Sequence, residues 1–377
     1  MITRFTIDGS DALENELADI CARAKEEILR VIPPRRIHAL LLGGGYGRGE
    51  GGVLQTSAGD KPYTDLEFYI IHNGPDLLLQ KLHGAKVHHV AEELTASAGI
   101  EVEFKLLSLQ KLQQSPVTMF YYDLIAGHRL VQGSDTWLAS CEHHRSAHRL
   151  PLYEATRLLM NRCSGLLYAQ EKLARPNFSS EDSDFVGRNL AKAKLALGDV
   201  VLAMRGQYHW SCRERQKRLR KLEAEDPSLS SIVPLHAQGV DFKLHPIKDQ
   251  RPAAAFRAEL DFLKDLAREL WLALEFRRLN KLFNRIPDYC FSAENKCPET
   301  DPSRNRLINA RRFGLREILN VRYPRERLLN TLPLLLWDTE NLTDPHTLAF
   351  VRNQLRTTEK EFPALVRAYE SIWRIYN

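Results

Sequence analysis

The chain has 377 residues, of which 44% are hydrophobic and 27% charged, a composition typical of a globular protein in water. This length exceeds that of an ordinary single domain, so two domains are expected. The net charge of +5 is modest, and no apolar run approaches the roughly 18 residues of a membrane span. The first residues are acidic and lack the apolar centre of a secretory signal, so a cytoplasmic location without a membrane partner is expected.

The first half of the chain alternates between helical and strand patterns. Residues 11–30 place apolar residues at helical spacing, with Asp11 as a candidate cap. The stretch "RIHALLLGGG" (36–45) predicts a short buried strand that runs into a glycine turn. "DLEFYII" (65–71) and "IEVEFKLLSL" (100–109) predict a second and a third strand, with helical sequence over 76–98 that is interrupted at Gly84.

From about residue 151 the pattern changes to long amphipathic helices, and strand signals nearly vanish. The sequence therefore predicts an α+β protein in which a sheet with flanking helices, residues 1–140, precedes a large all-helical domain, residues 141–377. The boundary is expected in the polar stretch 136–150, and a second exposed loop is expected over 292–306.

The cysteines and histidines give little indication of a zinc site. The six cysteines are scattered without a CxxC pair, which predicts reduced, structural thiols. "CEHH" (141–144) and "HGAKVHH" (83–89) could supply metal ligands, but neither has a matching second half at zinc spacing.

The glycine-rich stretch "GGGYGRGEGG" (43–52) fits neither of two common nucleotide-binding loops. Gly47, Gly49 and Gly52 have GxGxxG spacing, but the dinucleotide fold needs a helix directly after these glycines and no helical pattern follows. A P-loop needs Gly-Lys-Ser/Thr after its glycines, and a protein kinase needs HRD and DFG motifs. Both sets are missing from the sequence.

Carboxylates on the second and third predicted strands offer another interpretation. Successive strand residues point to opposite faces, so Asp65 and Glu67 share one face of the second strand. On the third strand, Glu101, Glu103 and Lys105 share a face in the same way. Adjacent carboxylates repel unless a cation neutralises them, and Mg²⁺ prefers such oxygen ligands together with substrate phosphates. A metal site is therefore favoured over the alternative, an edge strand whose acids only face water.

These elements resemble the DNA polymerase beta-type nucleotidyltransferase superfamily. Gly44 and Gly45 match its glycine turn, Asp65 and Glu67 its pair of acids, and Glu103 its third acid. "KPYTDLEF" and "EVEF" are especially similar to the kanamycin-type (aminoglycoside) nucleotidyltransferases. The resemblance covers residues 36–110. Nineteen residues, 46–64, separate the turn from the acids, more than is usual in the family, so this loop is expected to bulge or fold over the site.

The resemblance implies a metal-dependent enzyme that transfers a nucleoside monophosphate, with AMP favoured, from ATP or another NTP to a hydroxyl of a small molecule. Asp65, Glu67 and Glu103 would be the catalytic metal ligands for two Mg²⁺ ions, with Mn²⁺ as a substitute. The helix in "RNLAKAKLALGDVVLAMRGQYHWS" (188–211) resembles one that supplies a phosphate-binding lysine. The implied nucleotide-binding residues are Gly44, Gly45, Gly47, Arg48, Lys192 and Lys194.

Two other functions stay open at this stage. Nucleotidyltransferase-like domains also serve as regulatory or antitoxin-type binding modules without catalysis. Transfer to RNA or to a protein is the other alternative, supported by the basic cluster "RERQKRLRK" (213–221). The acceptor, the preferred base, the general base of the helical domain and the oligomeric state are not predicted.

Overall fold

The structure is a computed structural model that describes residues 4–377, and its α+β class confirms the predicted fold class. Strands occur only in the first part of the described chain. They are β1 (Ile37–Leu42), β2 (Val53–Thr56), β3 (Gly59–Pro62), β4 (Leu66–His72), β5 (Val102–Ser108) and β6 (Arg129–Gly133).

Fifteen α-helices lie within the described residues, joined in places by short 3-10 turns. The helices before residue 151 are α1 (Asp11–Val31), α2 (Gly44–Gly47), α3 (Asp76–Ala98), α4 (Leu109–Gln114) and α5 (Met119–Ala126). The later helices are α6 (Leu152–Leu173), α7 (Ser180–Met204), α8 (Cys212–Glu225), α9 (Ile232–Leu244), α10 (Ala253–Leu279), α11 (Ile286–Cys290), α12 (Pro302–Phe313), α13 (Arg325–Trp337), α14 (Pro345–Leu355) and α15 (Phe362–Tyr376).

The chain forms two compact units whose segments alternate along the sequence. The first unit contains the chain up to Pro151 together with Arg205–Ile247, and the second contains Leu152–Met204 together with Lys248–Asn377. This division differs from the predicted single cut at 140/141. Composition could not indicate it, because α8 and α9 have the same amphipathic pattern as the other late helices and yet pack in the first unit.

The first unit is built on a four-stranded mixed sheet in the order β5-β4-β1-β6. Strand β1 is antiparallel to both β4 and β6, whereas β4 and β5 are parallel, with Glu67 opposite Glu103 in the register. Strands β2 and β3 form a separate hairpin within the long loop that precedes the acids. The parallel pair requires a crossover, which α3 provides.

Alternation along β4 separates two hydrophobic cores. Leu66, Phe68 and Ile70 are buried in one core with apolar residues of α1 and α3. Tyr69 and Ile71 are buried on the opposite face with residues of α5 and of the turns around Trp137. Because both faces are covered along most of its length, the strand exposes polar side chains only near its start.

The cap of α1 and the continuity of α3 differ from the predictions, although both helices form where the sequence predicted them. Helix α1 forms as expected, but Ser10 rather than Asp11 caps it, since the Ser10 hydroxyl accepts the amide of Leu13. Asp11 is the first helical residue, where its charge suits the helix dipole. Helix α3 runs through Gly84 without the predicted interruption, because packing of its apolar face overrides the low helix propensity of one glycine.

Other differences from the expected elements are local. Strand β6 was not predicted, and the segment around 136–150 forms 3-10 turns. The exposed loop predicted over 292–306 ends earlier, because Asp301 caps α12 and Pro302 opens it.

All six cysteines are free and buried, in agreement with structural thiols. Within residues 4–377, no helix combines the length and the apolar character needed to cross a bilayer.

The glycine-rich segment is fixed to α8 by a buried carboxylate. Glu50 is 4% exposed and accepts hydrogen bonds from the Ser211 hydroxyl at 2.5 Å and from the amide of Cys212 at 2.8 Å. Burial alone would raise the pKa of Glu50, but these hydrogen bonds at the start of α8 outweigh burial and lower it. Glu50 therefore acts as a helix-capping acid supplied by a distant part of the sequence.

We expect Glu50→Gln to lower the thermal unfolding midpoint at neutral pH, corresponding to about 1–3 kcal/mol, because the amide replaces a charged hydrogen-bond acceptor. The lowered pKa means that the stabilisation is present above the unfolded-state value near 4.5 and is lost as the pH falls through the lower folded-state value. Wild type and variant should therefore converge in acid. Glu225→Gln, at the exposed end of α8, is the control. A Glu50→Gln deficit that persists in acid would contradict a role for the charge.

Candidate metal centre

Three carboxylates meet at the start of β4 and β5. Glu67 lies directly opposite Glu103 in the parallel pair, and Asp65 lies two residues before Glu67 on the same side. One oxygen from each of Asp65, Glu67 and Glu103 lies within 4.8 Å of the others. The structure thus brings together the three acids that the sequence singled out, with Asp65 exposed and the other two half-buried.

The glycine turn lies directly against these acids. The amide of Gly43 donates to the carbonyl of Glu67 at 2.9 Å. Gly44 has φ +62°, in the left-handed region, and a Cβ placed there would lie 3.0 Å from Oε2 of Glu67. Gly44 therefore meets two requirements that favour glycine, namely its backbone conformation and its close approach to a functional carboxylate.

Two other glycines predicted to cradle phosphates are engaged in packing. The amide of Gly47 already donates to the carbonyl of Gly43, and a Cβ on Gly47 would lie 2.1 Å from the carbonyl oxygen of Leu42. The predicted phosphate contact of the Gly47 amide is therefore not supported, because its hydrogen is used within the turn. Gly45 lies against the backbone of Glu50, where a Cβ would be 3.0 Å from the carbonyl oxygen.

Arg48, predicted to add charge at the phosphates, is held in a half-buried ion pair. Its Nη1 lies 2.9 Å from Oδ2 of Asp123, to which the hydroxyl of Tyr208 also donates at 3.2 Å. Arg215 donates in turn to the Tyr208 hydroxyl at 2.9 Å. This network ties the residue that follows α2 to α5 and α8, so Arg48 has a structural function in the first unit.

Lys105 is a site residue to which sequence analysis gave no function. Its Nζ lies 2.7 Å from Oε1 of Glu67 and 2.9 Å from Oε2 of Glu103. Burial would lower the pKa of Lys105, but the hydrogen bonds to Glu67 and Glu103 outweigh that effect and raise it. The alternation of strand side chains could have indicated this residue, because Lys105 follows Glu103 by two positions and so lies on the same face of β5.

The electrostatics leave an excess of negative charge at this centre. Partial burial of the carboxyl and then the charge of Glu67 raise the pKa of Asp65. Tyr69, two residues after Glu67, is buried, and burial together with the charge of Glu67 raises its pKa as well. One lysine faces three acids, so the centre can accept a further cation.

We expect Lys105→Met to tighten Mn²⁺ binding by about 5- to 10-fold, because the variant removes a cation that competes for Glu67 and Glu103 in a partly solvated site. Titration of the protein with Mn²⁺, followed by calorimetry, measures this effect. The control is Lys111→Met, which removes a lysine paired with Asp76 at 3.1 Å in the same unit. If Lys105→Met bound Mn²⁺ no more tightly than the wild type does, the three acids would not be the residues that hold the ion.

Lys192 and Lys194 both lie on α7 in the second unit. Nζ of Lys194 forms an ion pair with Glu259 of α10 at 2.7 Å, which gives this lysine a packing function between helices of its own unit. Lys192 lines a groove of about 440 Å³ bounded by α6, α7 and α15. The phosphate contact predicted for these two lysines stays a prediction.

The histidine-rich segments are used for other contacts. His144 is buried, and its Nε2 lies 2.9 Å from the carbonyl of Leu112. His88 and His89 lie on the exposed face of α3 beside Glu92 and Glu93. Within residues 4–377, the group of Asp65, Glu67 and Glu103 is the one whose ligand atoms converge as a metal centre requires.

Comparison with known proteins gives no relative for this chain: no protein-family model, no curated protein and no solved structure matches it.

Proposed function

We propose that the protein is a metal-dependent nucleotidyltransferase that moves a nucleoside monophosphate, AMP in the first instance, from an NTP to a hydroxyl of a small molecule. The observation that carries this proposal is the convergence of Asp65, Glu67 and Glu103 beside the Gly43-Gly44 turn. The resemblance noted in the sequence supports it, since the same residues match the motifs of that superfamily.

A hard divalent cation fits this set of donors. Mg²⁺ binds carboxylate oxygens at about 2.1 Å, so oxygens that share an ion lie about 3–4 Å apart. The ligand oxygens of Asp65, Glu67 and Glu103 lie within 4.8 Å of one another, close to that range. Mn²⁺ has similar ligand preferences and is the practical probe.

Each residue has a distinct task in the proposed transfer. Asp65 and Glu67 would hold the ion that carries the triphosphate, and Glu103 would help to hold a second ion near the acceptor hydroxyl. Bound there, two such ions would stabilise the attacking and leaving oxygens of an in-line displacement. The acceptor oxygen forms a bond to the α-phosphorus, the bond from that phosphorus to the bridging oxygen breaks, and pyrophosphate leaves with the electron pair.

The glycine turn and Lys105 complete this proposed arrangement. Gly44 presents bare backbone beside Glu67, so a triphosphate can approach the carboxylates without meeting a side chain. Lys105 pairs with both Glu67 and Glu103 when no ion is bound, and it would become a spare positive charge beside the phosphates once an ion binds these two acids. The group that deprotonates the acceptor is not assigned.

The test is to incubate the protein with Mg²⁺, each labelled NTP and a panel of aminoglycosides, other polyhydroxylated molecules, tRNA and proteins. We expect a nucleotidylated product and an equal amount of pyrophosphate with at least one small hydroxyl acceptor. The proposal would be contradicted if, with every NTP and every acceptor, the wild type formed no more nucleotidylated product and no more pyrophosphate than Asp65→Asn does.

Lys105 also favours a second candidate, a nucleotide-binding module without catalysis. An ammonium that already satisfies two of the three acids suits a centre that need not turn over. Such a module would bind NTP with Mg²⁺ but release no pyrophosphate, so calorimetry and the transfer assay together separate the two functions.

Transfer to RNA or protein stays a weaker alternative, supported by the exposed Arg213, Lys217 and Arg220 of α8. The free, buried cysteines support the proposal of a cytoplasmic location.

A further inference from the structure

A pocket in the first unit, of about 560 Å³, has a basic and aromatic lining. Two arginines, two histidines and two large aromatic residues contribute to it, and the described lining contains no Asp or Glu. The residues are Tyr122, Arg145, His148, His209, Trp210 and Arg218. The volume lies within the range of small-molecule sites, and the charge favours an anion.

The arginine from α8 is held in place by the backbone. Nη1 of Arg218 donates to the carbonyls of Gln207 at 3.0 Å and Tyr208 at 3.3 Å, and its Nε donates to Glu214 at 3.2 Å. Arg145 is more exposed, and its Nε forms an ion pair with the exposed Glu142 at 3.4 Å. The pocket thus combines one positioned guanidinium with one that can adapt to a ligand.

His209 adds a hydrogen-bond donor in a defined tautomer. The amide of Ser211 donates to Nδ1 of His209 at 3.1 Å, so the proton of the neutral ring is on Nε2. Burial and the charge of Arg218 lower the pKa of His209, which keeps the ring neutral at neutral pH. Its Nε2 then serves as a donor and not as a site of charge.

The aromatic residues provide a surface for a ring. The rings of His209 and Trp210 lie 5.1 Å apart and are inclined by 30°. Trp210 is half-buried, and Tyr122, which is buried, packs against Tyr208 at 5.8 Å. Aromatic faces of this kind bind planar groups by stacking.

We propose that this pocket binds a small organic anion that carries a planar ring, with the anionic group at Arg145, Arg218 and His209 and the ring at Trp210. The proposal goes beyond the proposed transfer and does not depend on it. The pocket lies toward the same end of the sheet as the carboxylates. Leu42, at the end of β1, pairs with Phe68 next to Glu67 on one side and with Arg129 on the other. Arg129 follows the lining residue Ala126 by three positions.

The experiment titrates the full chain, in EDTA, with phenyl phosphate and with benzoate, using calorimetry. EDTA removes divalent ions from the carboxylate centre, so the binding of these probes does not depend on that centre. A negative result in this titration is therefore distinct from a negative result in the transfer assay. We expect binding of at least one of the two probes, and their ratio tells phosphate from carboxylate recognition. Phenol, which lacks the anion, and the matching anion without a ring, inorganic phosphate for phenyl phosphate or acetate for benzoate, should bind at least about 10-fold more weakly than the probe that binds.

The variants assign the binding to this pocket. Arg145→Met and Arg218→Met should each weaken binding by about 10-fold, whereas Arg149→Met, which removes an exposed arginine of the same segment outside the lining, should change it less than about 2-fold. Arg145→Met keeps the test decisive if Arg218→Met disturbs folding. Absence of binding by both probes, or equal binding by Arg145→Met and Arg149→Met, would overturn the proposal. A ring-free anion, phosphate or acetate, that binds as tightly as the probe it matches would overturn it as well.

Discussion

Asp65→Asn is expected to lower kcat/KM for nucleotidyl transfer by at least about 10³-fold, which corresponds to about 4 kcal/mol of transition-state stabilisation. The amide keeps the shape of the side chain but removes the charge of a metal ligand. Asp65 is exposed and its carboxylate repels Glu67, so the fold should not suffer and the unfolding midpoint should stay equal or rise slightly. Pyrophosphate release and thermal unfolding measure the two effects.

Glu101→Gln is the matched control for this prediction. Glu101 is an exposed acid two residues before Glu103, and it lies outside the group of three converging carboxylates. Its replacement changes the net charge by the same amount at the same edge of the sheet. If Asp65→Asn kept most of the wild-type rate, or if Glu101→Gln reduced the rate as much, the assignment of the centre would be wrong.

Gly44→Ala is expected to reduce transfer by about 100-fold, because the added Cβ would lie 3.0 Å from Oε2 of Glu67 and displace that carboxylate. A misplacement of about 1 Å in a reacting site is enough for a loss of this size. The left-handed backbone at φ +62° adds a stability cost of roughly 1–2 kcal/mol for any residue other than glycine.

Gly99→Ala separates these two effects. Gly99 has φ +69°, close to that of Gly44, but a Cβ there would meet nothing within 4 Å. Both variants should therefore lose similar stability, and only Gly44→Ala should lose activity. Equal activity of the two variants would show that the contact between Gly44 and Glu67 has no functional consequence.

The parts of the fold that depend on local periodicity were predictable. Alternation in "DLEFYII" and "IEVEFKLLSL" predicted the two strands and, within each strand, which acids share a face, because a strand leaves its side chains no other arrangement. The alignment of Glu103 with Glu67 depends on the pairing of the two strands, so alternation alone did not predict it. The long helices after residue 151 followed from their apolar spacing in the same way. These features depend on neighbouring residues and need no knowledge of the tertiary fold.

Features that depend on distant partners could not be predicted. Glu50 caps α8 across more than 160 positions of sequence, and its letter in "RGEGG" gives no sign of that function. Lys194 is bound to Glu259, and Arg48 to Asp123, through contacts that exist only once the helices have packed. The return of α8 and α9 to the first unit is of the same kind, since their pattern shows which face is buried but not against what.

The most direct test of the account is a crystal structure of the protein with Mn²⁺ and a non-hydrolysable NTP analogue, with the ion located by anomalous scattering. We predict an anomalous peak about 2.2 Å from carboxylate oxygens of Asp65 and Glu67, also bound to triphosphate oxygens, with Lys105 moved away from Glu67. A triphosphate bound elsewhere, with Lys105 still paired to Glu67 and Glu103 and no peak between the acids, would contradict the account.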